Sequence, residues 1–242
     1  MNILDSFAII ILAAFTQASF QLSVSILTLM SGHALGRKTA HKRLLRLIAG
    51  YVIGIFTMTA LLISFGGVVI GTFVSDDIPA YVWAGASGVM IGVGIAVWTF
   101  YFRKQRGTAL WTPRSMAVYL SSRARATKNS AEAFGLGLVS VIGELLFSIA
   151  PIIVASLVIF QLEPVYQLAG ILAYAAISIL PLLVITALVG GGHSVSKVQK
   201  WREQNKAFIQ FAAGSTLIIL GVYLYVDEIV SAVSSTAGVV LR

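Results

Sequence analysis

The sequence predicts an all-α polytopic membrane protein with six transmembrane helices in a 3+3 inverted repeat and both termini outside. Three observations carry that expectation. Hydrophobic residues make up 58% of the 242-residue chain and charged residues 11%, with a mean hydropathy of +0.92; a soluble domain devotes about a quarter of its residues to charge. Six apolar windows are each long enough for a hydrocarbon core about 30 Å thick, which takes about 20 helical residues to cross. Basic and acidic segments alternate strictly between those windows.

The windows follow in order. The first, Phe7 to Met30, carries Gln17, Gln21 and Ser25 at intervals of four, and the second, Leu47 to Val74, is entered through Ala49-Gly50. The third, Ala80 to Phe102, is studded with Gly85, Gly88, Gly92 and Gly94. The fourth, Ala133 to Phe160, holds Ser140, Glu144, Ser148 and Pro151. The fifth, Tyr166 to Leu188, is entered through Ala169-Gly170, contains Pro181 and leads into Gly190-Gly191-Gly192-His193, which reads as a hinge because no Walker lysine follows. The sixth, Phe208 to Val226, carries Gly214 and Gly221. Spanning backbone must satisfy its own hydrogen bonds, and runs this long and uniformly apolar do so as helices rather than barrel strands. The glycines read as close-packing surfaces.

All of the 17 Lys and Arg residues except Arg242 lie in three loops, 31–46, 103–132 and 189–207. Asp5, Asp76, Asp77, Glu163, Asp227 and Glu228 lie at the opposite ends. The positive-inside rule therefore places the three basic loops in the cytoplasm. The expected organisation is 1–102, a first three-helix repeat; 103–130, a basic cytoplasmic linker; 131–228, a second repeat; and 229–242, an external tail. The linker is expected to form a short amphipathic helix on the inner surface. A net charge of +8 is accounted for by topology and contact with anionic lipids, without nucleic acid. The first apolar run has no basic leader or small-residue cleavage site and is expected to act as its own insertion signal.

There are no cysteines, which excludes disulfides and thiol relays. His33, His41 and His193 lack the companions of a metal site. Neither a Ser/His/Asp set at one depth nor an HExxH motif is present, nor a mid-membrane lysine for a Schiff base. The chain does not read as an enzyme, and no cofactor or metal is expected.

Glu144 is the only charged side chain within the six windows, and an intramembrane carboxyl is costly enough to mark a functional site. Loss of water disfavours the carboxylate, so Glu144 is expected to be protonated at rest and to ionise when a cation or water enters. Ser140, Glu144 and Ser148 share one helical face, as do Gln17, Gln21 and Ser25. An offset of 123 residues superimposes the two trios, whereas 127 matches Gln17 with Glu144 and Phe20 with Phe147; both registers stay open. In an inverted repeat the site lies near the midplane between the halves, so Gln17 and Gln21 are expected to face Glu144. Pro151 and Pro181 remove backbone hydrogen bonds and are expected to kink helices along the path.

Six spans, external termini, the three-plus-three layout and a last helix reading Ala213-Gly214-Ser215-Thr216-Leu217-Ile218-Ile219-Leu220-Gly221-Val222-Tyr223 resemble the lysine-exporter superfamily, which includes thiol-carrying cytochrome c biogenesis proteins. The chain departs from that pattern in having no proline before Pro79 and no cysteines. The resemblance implies export of a small solute and, with the cysteines absent, excludes thiol transfer. The expected function is a secondary transporter or exporter of a small solute or cation, in a prokaryotic cytoplasmic membrane and open to oligomerisation, with proton coupling through Glu144. The alternative is a non-transporting membrane scaffold or assembly factor, in which Glu144 ties helices together and the basic loops bind a partner or anionic lipid.

Overall fold

The computed structural model describes residues 2–20, 38–74, 78–101, 114–191, 200–201 and 204–230. Their regular structure is helical throughout: α1 (Ile3–Ser19), α2 (Lys38–Phe73), α3 (Ala80–Tyr101), α4 (Arg114–Ala126), α5 (Ser130–Gln161), α6 (Pro164–Ser178), α7 (Leu180–Gly190) and α8 (Lys206–Leu224). The last continues into a π-helical turn, Tyr225–Val230.

Among the described residues, four helices (α2, α3, α5 and α8) are long and apolar enough to cross a membrane, and α6 with α7 makes a fifth if that pair, bent by 47°, is one span. α1 has 17 residues; the rest of the first predicted span, from Gln21 to Met30, lies outside the described residues. At 1.5 Å per residue α5, with 32 residues, is roughly 48 Å long and exceeds the hydrocarbon core. Ile53, Leu61, Phe65 and Val68 on α2, and Ile142, Leu146, Ile149 and Ile153 on α5, are exposed. Such faces suit a lipid solvent, where apolar exposure carries no hydration cost. The chain is built as an integral membrane protein.

Local chemistry sets the helix ends. The Asn129 side chain accepts from the Glu132 N–H at 2.8 Å, while the Glu132 carboxylate accepts from the Lys128 N–H at 2.8 Å and from Asn129 Nδ2 at 3.0 Å. This reciprocal cap starts α5. Pro164 opens α6, where its missing N–H costs nothing. Gln167 Nε2 then donates to the carbonyls of Phe160 and Leu162 at 3.4 and 3.0 Å, covering the end of α5.

Helices of the first predicted half pack mainly on helices of the second. α2 lies along α5, α3 along α8, and α1 against α5, α6 and α8. Glycines allow the closest approaches. A Cβ on Gly50 would come within 2.7 Å of the Ser130 carbonyl oxygen, and Gly54 and Gly137 approach each other's Cα. Gly170 faces Ile10 and Ile159. A Cβ on Gly94 would lie 2.9 Å from the Gly214 carbonyl, and one on Gly214 would lie 3.2 Å from the Gly94 carbonyl. Trp98 stacks on Phe211 at 5.6 Å beside that crossing. By contrast, a Cβ on Gly85, Gly88 or Gly92 would meet nothing within 4 Å, so the close-packing surface expected of the third span narrows to Gly94.

A helix, α4, forms within the expected linker and packs on α5. α4 folds back along the start of α5 as an antiparallel hairpin, burying Leu120 and Ala124. Its Met116 and Leu120 reach Gly143, next to Glu144.

Candidate functional site

Gln17 is buried on α1, and its carboxamide oxygen accepts a 2.5 Å hydrogen bond from the Tyr174 hydroxyl of α6. Tyr174 itself is fully buried. One turn further along α6, buried Ser178 donates to the Ala175 carbonyl at 2.9 Å, and at Ile179 the helix breaks. Pro181 is the cause: it has no N–H to give residue 177, and its ring crowds that carbonyl. A polar pair therefore sits immediately before a broken helix. Pro151, by contrast, leaves α5 continuous from Ser130 to Gln161, so only one of the two expected kinks breaks its helix.

The register between α1 and α5 locates Glu144. Ile10 and Ile159 both contact Gly170, and Phe20 stacks on Phe147 with centroids 5.7 Å apart, so the helices run antiparallel. Gln17 is then nearly level with Pro151, while Glu144 lies one turn beyond Phe147 along α5. The Gln17 carboxamide oxygen is engaged by Tyr174, and Gln21 lies outside the described residues.

Glu144 is at mid-length of α5 and is 6% exposed. The flanking serines are buried, but their hydroxyls bond within their own helix: Ser140 Oγ donates to the Gly137 carbonyl at 2.8 Å and Ser148 Oγ to the Glu144 carbonyl at 3.1 Å. Such back-bonding uses the serine proton locally and leaves the oxygen lone pairs as acceptors. His33, His193 and the side chain of His41 lie outside the described residues, among which no cluster of His, Cys, Asp or Glu is arranged to hold a metal. Among the described residues, three buried polar atoms, Thr59 Oγ1, Trp83 Nε1 and Ser87 Oγ, have no hydrogen-bond partner.

Tyr174 is the site residue that sequence reasoning missed. Its signal was a phenolic hydroxyl in the fifth apolar run, one turn before Ser178 and two before Pro181. Replacing Tyr174 with phenylalanine keeps the ring and leaves the Gln17 oxygen unpaired. The expected loss is about 1–3 kcal/mol of stability, read by thermal unfolding in detergent. A double variant with Gln17→Leu should recover part of that loss, and strictly additive losses would show that the bond contributes nothing.

The class defined by this fold is a polytopic α-helical membrane protein with a buried polar pair beside a broken helix and a buried carboxyl on the adjoining long helix. Comparison with protein-family descriptions, curated proteins and solved structures finds no match.

Proposed function

We propose that this protein is a secondary transporter of a small solute or cation, built as an inverted repeat and working by alternating access. The observation that carries the reading is a single offset relating contacts in the two halves. Adding 120 to one partner and subtracting 120 from the other converts Gly50–Ser130 into Gly170–Ile10, and Gly54–Gly137 into Tyr174–Gln17. The same operation converts Trp98–Gly214 into Ile218–Gly94 and returns Gly94–Gly214 to itself. A pseudo-two-fold axis relating the first three predicted spans (α1, α2 and α3) with the last three (α5, α6 with α7, and α8) accounts for this pattern. Secondary transporters recurrently use that plan, with substrate bound near the midplane at discontinuous helices.

Under this symmetry the two halves differ where function would need them to. At the crossing where one half has bare glycines, Gly54 and Gly137, the other holds the Tyr174–Gln17 pair beside the break at Ile179. Glu144 supplies the ionisable group of the proposed path. The basic ends of α2 and α5 lie together, Arg43 donating to the Lys128 carbonyl at 3.0 Å, which supports a common cytoplasmic side. A prokaryotic cytoplasmic membrane is the proposed location.

Reconstitution in vesicles containing a pH dye tests the reading, with amino acids and divalent cations as challenges. Solute-dependent proton or ion flux above that of protein-free vesicles is expected. Absence of flux with every solute would favour a scaffold.

A further inference from the structure

We propose that the cleft between α4 and the first turns of α5 is a binding site for an anionic phospholipid, with its headgroup on Arg123 and Lys128 and its chains along Leu136 and Val139. The cleft has a volume of about 570 Å³ and is bounded by Tyr119, Arg123, Lys128, Glu132, Leu136 and Val139, with Gly135 on its wall. That volume falls in the range of small-molecule sites. Its lining changes character along its length, from cationic at the α4–α5 turn to aliphatic further along α5.

The lining carries two cations, Arg123 and Lys128, against one carboxylate, Glu132, and so is net positive. Glu132, the carboxylate in the lining, is committed to the cap of α5 through the Lys128 N–H and Asn129 Nδ2, and among the described residues neither Arg123 nor Lys128 is ion-paired. Arg123 is held over the Tyr119 ring with its guanidinium 5.8 Å from the centroid, an arrangement that fixes the side chain while leaving its edge donors available. A free anion would account for the cations alone. The adjoining aliphatic wall and the membrane setting select an amphiphile, and basic pockets beside transmembrane helices are suited to anionic headgroups.

Gly135 provides a way to close the cleft. A Cβ there would meet nothing within 4 Å, so a larger side chain can enter without displacing the backbone. The occupant also has a route to the transport site. It would brace α4 against α5, and α4 packs at Gly143 through Met116 and Leu120, one residue from Glu144. This last link rests on the transport reading; the lipid site itself does not.

Native mass spectrometry of the full chain in detergent, titrated with phosphatidylglycerol or phosphatidylcholine, tests the site. Preferential retention of phosphatidylglycerol is expected, falling on the order of tenfold or more when Arg123 and Lys128 are both replaced by alanine. Gly135→Leu should weaken binding comparably although it removes no charge, and Lys42→Ala with Arg46→Ala should leave binding unchanged. Equal binding of the two lipids, or undiminished phosphatidylglycerol binding in Gly135→Leu, would overturn the proposal. Displacement of the lipid by millimolar inorganic phosphate would also overturn it, by reducing the site to a simple anion pocket.

Discussion

Gly137→Leu is expected to destabilise the protein by at least about 3 kcal/mol, the upper end of ordinary overpacking costs. The reason is geometric. A Cβ at Gly137 runs into the Tyr51 carbonyl and lies 3.1 Å from the Gly54 Cα, so the obstacle on α2 is backbone rather than a side chain that can rotate away. α2 and α5 must separate, which also strains Ser156, whose hydroxyl donates to the Ile63 carbonyl at 3.3 Å further along the same interface. Gly88→Ala supplies the comparison, because a Cβ there meets nothing within 4 Å, and alanine gains about 0.5–1 kcal/mol over glycine within a helix. Unfolding monitored by circular dichroism in detergent should separate the two variants clearly. Similar stabilities would mean that the α2–α5 contact is not close.

Glu144→Gln is expected to abolish coupled flux while leaving the fold intact. Glutamine matches the size of a protonated glutamate and keeps both a donor and an acceptor, so a carboxyl that only fastens helices is replaced with little loss. A carboxyl that must lose and regain a proton, or balance a cation, has no substitute in an amide that never ionises. The two roles therefore diverge in one variant. Flux at the level of protein-free vesicles with an unchanged unfolding midpoint is the predicted result; intact flux would remove Glu144 from the mechanism.

The helices were legible because membrane-spanning segments are written in composition: the apolar runs at 47–74, 80–102 and 133–160 reappear as α2, α3 and α5. Helix breaks were less so. Pro151 and Pro181 look alike in sequence, yet only Pro181 lies at a break. α5 is the more enclosed helix, with 72% of its most apolar window buried, and neighbours on several sides hold it together across the missing bond. The Gln17–Tyr174 bond joins residues 157 apart, and no local pattern encodes such a partner.

Under the proposed symmetry, polar residues are poor landmarks for the register. The trios suggested 123 or 127, whereas the contacts behind the proposed symmetry follow 120. Close helix crossings require small residues in both halves, so Gly50 and Gly170, or Gly94 and Gly214, keep step. A binding site is under no such constraint, and its polar groups can occupy one half alone. The Ala49-Gly50 and Ala169-Gly170 pairs already stood 120 apart.

Two-sided accessibility of the interior is the most direct test of alternating access. Because the natural chain has no cysteine, Ser148→Cys places a single thiol at a buried position, 1% exposed, one turn from Glu144. A membrane-impermeant maleimide should label it from either face of oriented vesicles, with the transported solute shifting the balance between faces. A thiol that reacts from neither face, or from the same face regardless of solute, would contradict alternating access through this site.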